Sequence, residues 1–232
     1  MSGLVVITGA TGGIGRCVAR QLGNQGLVPV VGHRRHKSEE ARAIAEACGG
    51  LSIAFDMADP SSIDHGIALL AKDGRPVVGA VLAASPPPVI APFGKISAAD
   101  HSLFWTANVV GPQYLLAGLV RQFFRPRKAG SVAAVLTGAI GVPEAASALP
   151  KVMSSMGAYS ISKFGLLGVI AQLNSEFPWL RVTSVMPGFT ETDMLKVFDE
   201  RFLDQLRLQG AFTKPEDVAV EIVDRLALSA IK

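Results

Sequence analysis

Leu4-Val5-Val6-Ile7-Thr8-Gly9-Ala10-Thr11-Gly12-Gly13-Ile14-Gly15 carries four consecutive apolar residues straight into a glycine-rich turn. The apolar run reads as a strand buried on both faces, which a parallel sheet covered by helices requires. Helical spacing takes over at once, with Ile14, Val18, Ala19 and Leu22 on one face of a helix over Gly15–Gln25. A glycine turn between strand and helix lets backbone N–H groups approach a pyrophosphate, and the helix N-terminus faces its negative charge. Gly9 suits the tight turn, Gly13 the close approach and Gly15 the packing of helix on strand. The stretch predicts a strand–turn–helix unit built to hold a nucleotide diphosphate.

The alternation continues along the chain. Strands are predicted at Leu4–Ile7, Val28–Val31, Leu51–Phe55, Val77–Ala83, Ser131–Leu136 and Arg181–Val185. Helices are predicted at Gly15–Gln25, Glu39–Cys48, Ser61–Lys72, Asp100–Phe124, Tyr159–Phe177 and Pro215–Leu228. Ser61 stands near the cap of the third, Pro112 is placed to bend the fourth, and Pro215 opens the last at a first-turn position. Apolar strands alternating with helices imply right-handed crossovers and one Rossmann-like, doubly wound α/β domain over residues 1–232, with about six parallel strands. Ser85-Pro86-Pro87-Pro88 reads as a rigid loop leaving strand four, too short to separate domains.

Composition agrees. Of 232 residues, 49% are apolar, and mean hydropathy is +0.37. Only 18% are charged, below the usual share of about a quarter. No apolar run approaches the roughly 20 residues of a membrane span, and the N-terminus has no signal-peptide pattern. A chain that keeps away from the membrane is expected. Cys17 and Cys48 make neither a disulfide framework nor zinc-site spacing, which fits a reducing cytoplasm and no metal. The formal charge of +3 is too small and scattered to imply nucleic acid.

The dense basic cluster His33-Arg34-Arg35-His36-Lys37 follows strand two. An acidic residue there would accept from a ribose 2′-hydroxyl, whereas arginine grips a 2′-phosphate through paired N–H bonds. No Asp or Glu occurs between Leu27 and Ser38, so Arg34 and Arg35 predict NADP(H) in preference to NAD(H). Asp56 and Met57, just after strand three, are placed to bracket an adenine or simply to end the strand.

Tyr159 and Lys163 are four residues apart, on one face of a helix. A free phenol has a pKa of about 10, and a neighbouring ammonium favours the phenolate. Such a pair can pass a proton to or from a substrate oxygen.

Together these residues resemble the short-chain dehydrogenase/reductase family over nearly the whole chain. Thr8, Gly9, Gly13 and Gly15 match the family's Thr-Gly-x-x-x-Gly-x-Gly signature, with Thr11 and Ile14 inside it. Tyr159 and Lys163 match its Tyr-x-x-x-Lys, and Asn108 its helix-borne asparagine. Pro187-Gly188-Phe189-Thr190-Glu191-Thr192-Asp193-Met194 is similar to its Pro-Gly segment, and Lys214-Pro215-Glu216-Asp217-Val218-Ala219 to a late Pro-Glu-Asp/Glu-Val-Ala stretch. The resemblance implies hydride transfer between a nicotinamide coenzyme and a carbonyl or secondary alcohol, with Tyr159 as general acid/base. Lys163 would hold the ribose and lower the Tyr159 pKa, and Asn108 would support a water relaying protons to Lys163. Pro187, Gly188, Thr190 and Thr192 would reach the coenzyme's nicotinamide or phosphates.

Three departures stand out. The serine expected about thirteen residues before the tyrosine falls on Gly138. Thr137 is adjacent, but neighbouring strand side chains point to opposite faces, so it takes over only if the strand is interrupted. Ser147, Ser154 and Ser155 are other candidate hydroxyls. The family's Asn-Asn-Ala-Gly is replaced by Leu82-Ala83-Ala84-Ser85, so apolar packing at Ala83 and Ala84 is expected to brace the coenzyme pocket. The chain stops at Lys232, and a seventh strand is expected to be absent.

The leading expectation is an NADP(H)-dependent carbonyl reductase or alcohol dehydrogenase. A nucleotide-binding regulatory protein weakened at Gly138 is the alternative, and lyase or epimerase chemistry with Tyr159 as base is a third reading. The substrate is expected to be fairly apolar, lined by residues from Pro86–Phe93, Val142–Met156 and Phe189–Leu206. Phe104 and Trp105 on the long helix suggest a homodimer or homotetramer.

Overall fold

The computed structural model describes residues 2–141, 148–210 and 212–228. Among them six strands form one parallel sheet: β1 Leu4–Thr8, β2 Val28–His33, β3 Leu51–Ala54, β4 Val77–Leu82, β5 Ser131–Val135 and β6 Arg181–Val185. Their order is β3-β2-β1-β4-β5-β6, so the chain winds outward from β1, then crosses back to β4 and winds the other way. Val6 pairs with Val30 on one side and Ala80 on the other, fixing β1 at the centre.

Every residue of β1 is buried, because alternate side chains enter different cores. Leu4 and Val6 join a core with Ile63, Leu70, Leu115, Leu119, Leu166 and Ile170. Val5 and Ile7 join a second with Val18, Leu22, Ala41, Val218, Ile222 and Leu226. The first is roofed by helices α3 Pro60–Asp73, α4 Ala98–Arg127 and α5 Gly157–Glu176. The second is roofed by α1 Gly13–Asn24, α2 Ser38–Ala47 and α7 Pro215–Leu226. Burying one such aliphatic side chain stabilises the fold by about 1.5–3 kcal/mol, so both faces are needed.

Capping refines the expected boundaries. α3 is capped by Asp59, whose carboxylate accepts from the Ser61 N–H, rather than by Ser61 itself. α4 starts at a capping box in which Ser97 and Asp100 satisfy each other's backbone N–H groups. It runs 30 residues; 56% of its most apolar window is buried, the packing of a core helix. Within it Thr106–Val110 and Val120–Phe124 widen to π-helix. Pro112 follows the first widening, where its missing N–H leaves the helical ladder short of a donor. A helix not expected from the sequence, α6 Glu200–Gln209, is capped by Asp199, whose carboxylate accepts from Arg201 and Phe202.

Candidate active site

At the carboxyl ends of β1 and β4, where the strand order reverses, a crevice of about 1020 Å³ opens. Its floor is the glycine turn. Gly9 sits at φ +65°, and a Cβ there would stand 2.6 Å from the Ala84 Cα. A Cβ on Gly15 would stand 2.5 Å from the Gly9 carbonyl oxygen, so helix α1 can start against the turn only with glycine. The close approach at Gly13 is made by protein: a Cβ there would meet the Thr192 methyl at 2.5 Å. Thr192, on the segment after β6, therefore straps the turn.

Thr8 is buried and does not face the crevice. Its hydroxyl oxygen accepts from the N–H groups of Ala83 and Ala84, at 3.1 and 3.2 Å. The bracing expected of apolar packing is thus a hydrogen-bonded tie from β1 to the end of β4. Thr11, Ile14, Asp56, Met57, Ala83, Ala84, Pro187, Gly188 and Thr190 all line the crevice. Arg34 lines it too, whereas Arg35, in the short exposed 3-10 turn Arg35–Lys37, does not.

Arg16, His33, Lys37 and Glu40 also line this end, though none was among the expected coenzyme contacts. The His33 ring is held between the Arg34 carbonyl at 2.9 Å and the Ser52 hydroxyl at 3.1 Å. A carbonyl only accepts, so Nδ1 carries a proton. Arg16, one residue beyond Gly15, donates to the Thr11 carbonyl at 2.7 Å. α1 has no acid in its first turn and no side-chain bond at its cap, Gly12. The turn, the uncapped helix start and the cationic rim together fit a dinucleotide.

At the other end Tyr159 and Lys163 both line the crevice and are both buried. The phenol ring packs edge-on against Phe104, centroids 6.1 Å apart. Phe104 is thus fully buried behind the phenol and not part of an exposed face. The Lys163 Nζ lies 5.5 Å from the Tyr159 ring centroid and donates to the Val135 carbonyl at 2.8 Å. Burial lowers the Lys163 pKa from 10.5 to about 8. Burial also pushes the Tyr159 phenol above its ordinary 10.0, opposed by a hydrogen bond from Thr137. The expected downward pull of Lys163 does not govern the phenol here: desolvation does, and the ammonium is directed at a carbonyl.

Thr137 brings the hydroxyl that Gly138 lacks. β5 ends at Val135, and Thr137 heads a turn in which its oxygen accepts from the Ala139 N–H at 3.1 Å. Strand alternation no longer sets its direction, and its side chain meets the phenol. Ser154 and Ser155 do not line the crevice, and Ser147 lies outside the described residues.

Asn108 is fully buried in the first π segment of α4 and does not reach the crevice. Its amide donates to Ser85 at 3.1 Å and to Ser162 at 2.9 Å. Ser162 in turn donates to the Tyr159 carbonyl at 2.7 Å. The Asn108 Oδ1 has no hydrogen-bond partner among the described residues.

A family model described as short chain dehydrogenase matches residues 3–201. The chain belongs to the short-chain dehydrogenase/reductase family. The family comprises oxidoreductases that use a nicotinamide coenzyme, and the crevice fits that group. Human dehydrogenase/reductase SDR family member 2, mitochondrial, is 30% identical over 201 residues, 84% of this chain and 68% of that protein. The 2,3-dihydro-2,3-dihydroxybenzoate dehydrogenase of Bacillus subtilis is 30% identical over 198 residues, 82% of this chain and 71% of that enzyme. In fold the chain is similar to an actinorhodin polyketide ketoreductase solved with NADPH, at TM-score 0.83 and 22% identity, covering 99% of this chain and 92% of that one.

Past Tyr159 the crevice continues to a largely apolar end. Here that end is lined by Pro86, Pro87, Pro88, Leu103, Met153, Met156, Phe189, Met194, Leu195 and Phe198. Phe93 is 85% exposed and takes no part, because it lies in a short turn before α4. Phe189, Phe198, Phe202 and Phe212 stack into one aromatic cluster that fixes the segment after β6 over the crevice.

Proposed function

We propose that this chain is an NADP(H)-dependent oxidoreductase interconverting a carbonyl and a secondary alcohol on a small, fairly apolar molecule. The observation that carries the reading is the buried trio at the crevice wall: the Thr137 hydroxyl against the Tyr159 phenol, with the Lys163 ammonium 5.5 Å from the phenol ring. When bound, the reduced coenzyme supplies a hydride to the carbonyl carbon. Tyr159 donates its proton to the carbonyl oxygen, which leaves as the alcohol. A buried phenol with a raised pKa stays protonated near neutrality, the form an acid needs.

Thr137 donates a hydrogen bond to the same oxygen as charge develops on it. The Ala139 N–H already occupies one lone pair of its hydroxyl oxygen, which orients the O–H outward. Lys163 keeps positive charge beside the phenol and favours its transient phenolate. Asn108 acts at one remove, fixing Ser162 and through it the Tyr159 backbone. Arg34 supports the coenzyme choice, since it lines the crevice just after β2 and a guanidinium there can pair with a 2′-phosphate.

The placement of Thr137 also weighs against the weakened, purely regulatory reading. The apolar lining from Met153 to Phe198 supports the substrate class. We further propose a second copy of this chain as partner, through the face where Trp105 and Ile161 are 46% and 42% exposed. The decisive experiment is NADPH oxidation by the purified chain across a panel of ketones and aldehydes, with Tyr159→Phe as control. Turnover lost in the variant with NADPH binding kept supports the assignment. NADPH binding without turnover of any carbonyl would replace it with the regulatory reading.

A further inference from the structure

The nucleotide end of the crevice holds a carboxylate for which the coenzyme assignment has no use. Glu40, in the first turn of α2, accepts from the Arg16 Nη2 at 2.7 Å and from the Lys37 Nζ at 2.9 Å. Arg16 comes from α1 and Lys37 from the turn after β2, so one carboxylate ties two elements together across the rim. All three residues line the crevice beside Arg34. Arg34 makes no ion pair among the described residues. Asp193, on the segment after β6, also lines the crevice; it pairs with Lys196 at 2.7 Å and feels the charges of Arg16 and Lys37.

We propose that Glu40 is a specificity-determining residue that competes with the coenzyme's 2′-phosphate for Arg16 and Lys37. The inference rests on the NADP(H) reading above. A phosphate monoester carries about −1.5 to −2 charges near neutral pH and takes cations from a carboxylate. To do so it must displace Glu40, whose negative charge then stands beside the phosphate and repels it. A ribose 2′-hydroxyl makes no such demand and leaves the Glu40 bridge in place. Glu40 therefore opposes the phosphorylated coenzyme alone and narrows the preference that Arg34 creates. The exchange is accessible, because the Arg16, Lys37 and Glu40 side chains are 44%, 45% and 34% exposed. The hydrogen bond from Lys37 and the charges of Lys37 and Arg16 hold the Glu40 carboxyl below its ordinary value, so it stays anionic as the coenzyme arrives.

The test is Glu40→Gln in the full chain, which removes the charge and keeps the size. Dissociation constants are measured for NADPH, NADH and 2′,5′-ADP. The expected result is an approximately fivefold tighter grip on NADPH and 2′,5′-ADP, the scale of a part-exposed ion pair. NADH should change by less than about twofold, and the gain should shrink in high salt. In an Arg16→Gln, Lys37→Gln background most of the gain should vanish, because both contested cations are gone. An unchanged ratio of NADPH to NADH affinity overturns the proposal. So does weaker NADH with NADPH unchanged, which would make Glu40 a ribose ligand. The coenzyme reading fails separately: wild-type chain binding NADH as tightly as NADPH sinks that reading. The role of Glu40 then stands or falls on whether Glu40→Gln still moves the ratio toward NADPH.

Discussion

Thr137 sets its side chain against the Tyr159 phenol while its own oxygen accepts the Ala139 N–H at 3.1 Å. The backbone donor takes one lone pair of the threonine oxygen, and the O–H is turned to the phenol, where a substrate oxygen would meet both groups. Losing one such donor costs about a hundred- to a thousandfold in rate. Thr137→Val should therefore lower kcat/KM for carbonyl reduction about a hundredfold or more, and Thr137→Ser should keep most of it. Adding Gly138→Ser to Thr137→Val should restore nothing. A Cβ on Gly138 would stand 3.3 Å from the Pro187 carbonyl and 3.4 Å from the Gly188 Cα, toward the segment after β6. Steady-state rates with NADPH check all three, and full activity in Thr137→Val would remove the hydroxyl from the mechanism.

Burial sets the phenol above its ordinary 10.0, so the reductive and oxidative directions should respond differently to pH. Reduction needs the protonated phenol and should stay level through neutral pH. Alcohol oxidation needs the phenolate and should climb up to about tenfold per pH unit until the phenol titrates. Initial rates in both directions between pH 6 and 9 measure this. An oxidation rate flat above pH 7 would mean the phenol already ionises there, with Lys163 dominating after all.

The buried Lys163 also leaves a mark on stability. Its folded pKa of about 8 lies below the ordinary 10.5, so between those values the unfolded chain binds more protons than the folded one. Stability then rises with pH across that window, and the penalty of the buried charge is full below pH 8. Tyr159, raised above 10.0, works against this only at the upper edge, where the unfolded phenol ionises first. Urea midpoints should therefore increase from pH 8 to pH 10 in wild type, and Lys163→Met should flatten that rise. Lys163→Met should also abolish turnover. A wild-type midpoint that falls over the same window contradicts the sign.

The frame was legible because local patterns alone specify it. Leu4–Ile7 can only be a strand buried on two faces, and Gly9 and Gly15 admit no side chain where they stand. The site was legible where a motif carries it within one element, as with Tyr159 and Lys163. It was illegible where tertiary contacts decide. Nothing in Thr137-Gly138 says that β5 stops at Val135, which frees the threonine from strand alternation. Arg34 and Arg35 look equivalent in sequence, and only the 3-10 turn separates them. α6 went unread although Phe202, Leu203 and Leu206 fall at helical spacing and Asp199 followed by Glu200 is a readable start signal.

The separation of those arginines yields a direct comparison. Arg34 lines the crevice and Arg35 does not. Arg34→Ala should weaken NADPH about tenfold or more, the scale of a charge-assisted hydrogen bond pair, and leave NADH nearly unchanged. Arg35→Ala should shift NADPH by less than about threefold, as expected for a screened surface charge. Titration calorimetry with both coenzymes decides it. Equal losses from the two variants would mean that the turn after β2 rearranges to bring Arg35 in.

Asn108 should behave as a positioning residue whose loss is felt in the fold and in kcat before it is felt in binding. Its amide is the shared donor to Ser85 and Ser162, joining the end of β4, α4 and α5 behind the catalytic wall. Ser85 and Ser162 keep their own donations, to the Pro86 carbonyl at 3.1 Å and the Tyr159 carbonyl at 2.7 Å, so only their acceptor bonds are lost. Asn108→Ala should then cost about 1–3 kcal/mol of stability, read as a lower urea midpoint at unchanged slope. Because Asn108 does not line the crevice, the NADPH dissociation constant should stay within about twofold, while kcat falls as Tyr159 loses its fixed position. A variant that loses coenzyme affinity in proportion to kcat would instead place Asn108 in the binding wall. One that keeps stability and loses only kcat would point to its unpartnered Oδ1, the atom left to hold a water for a proton relay.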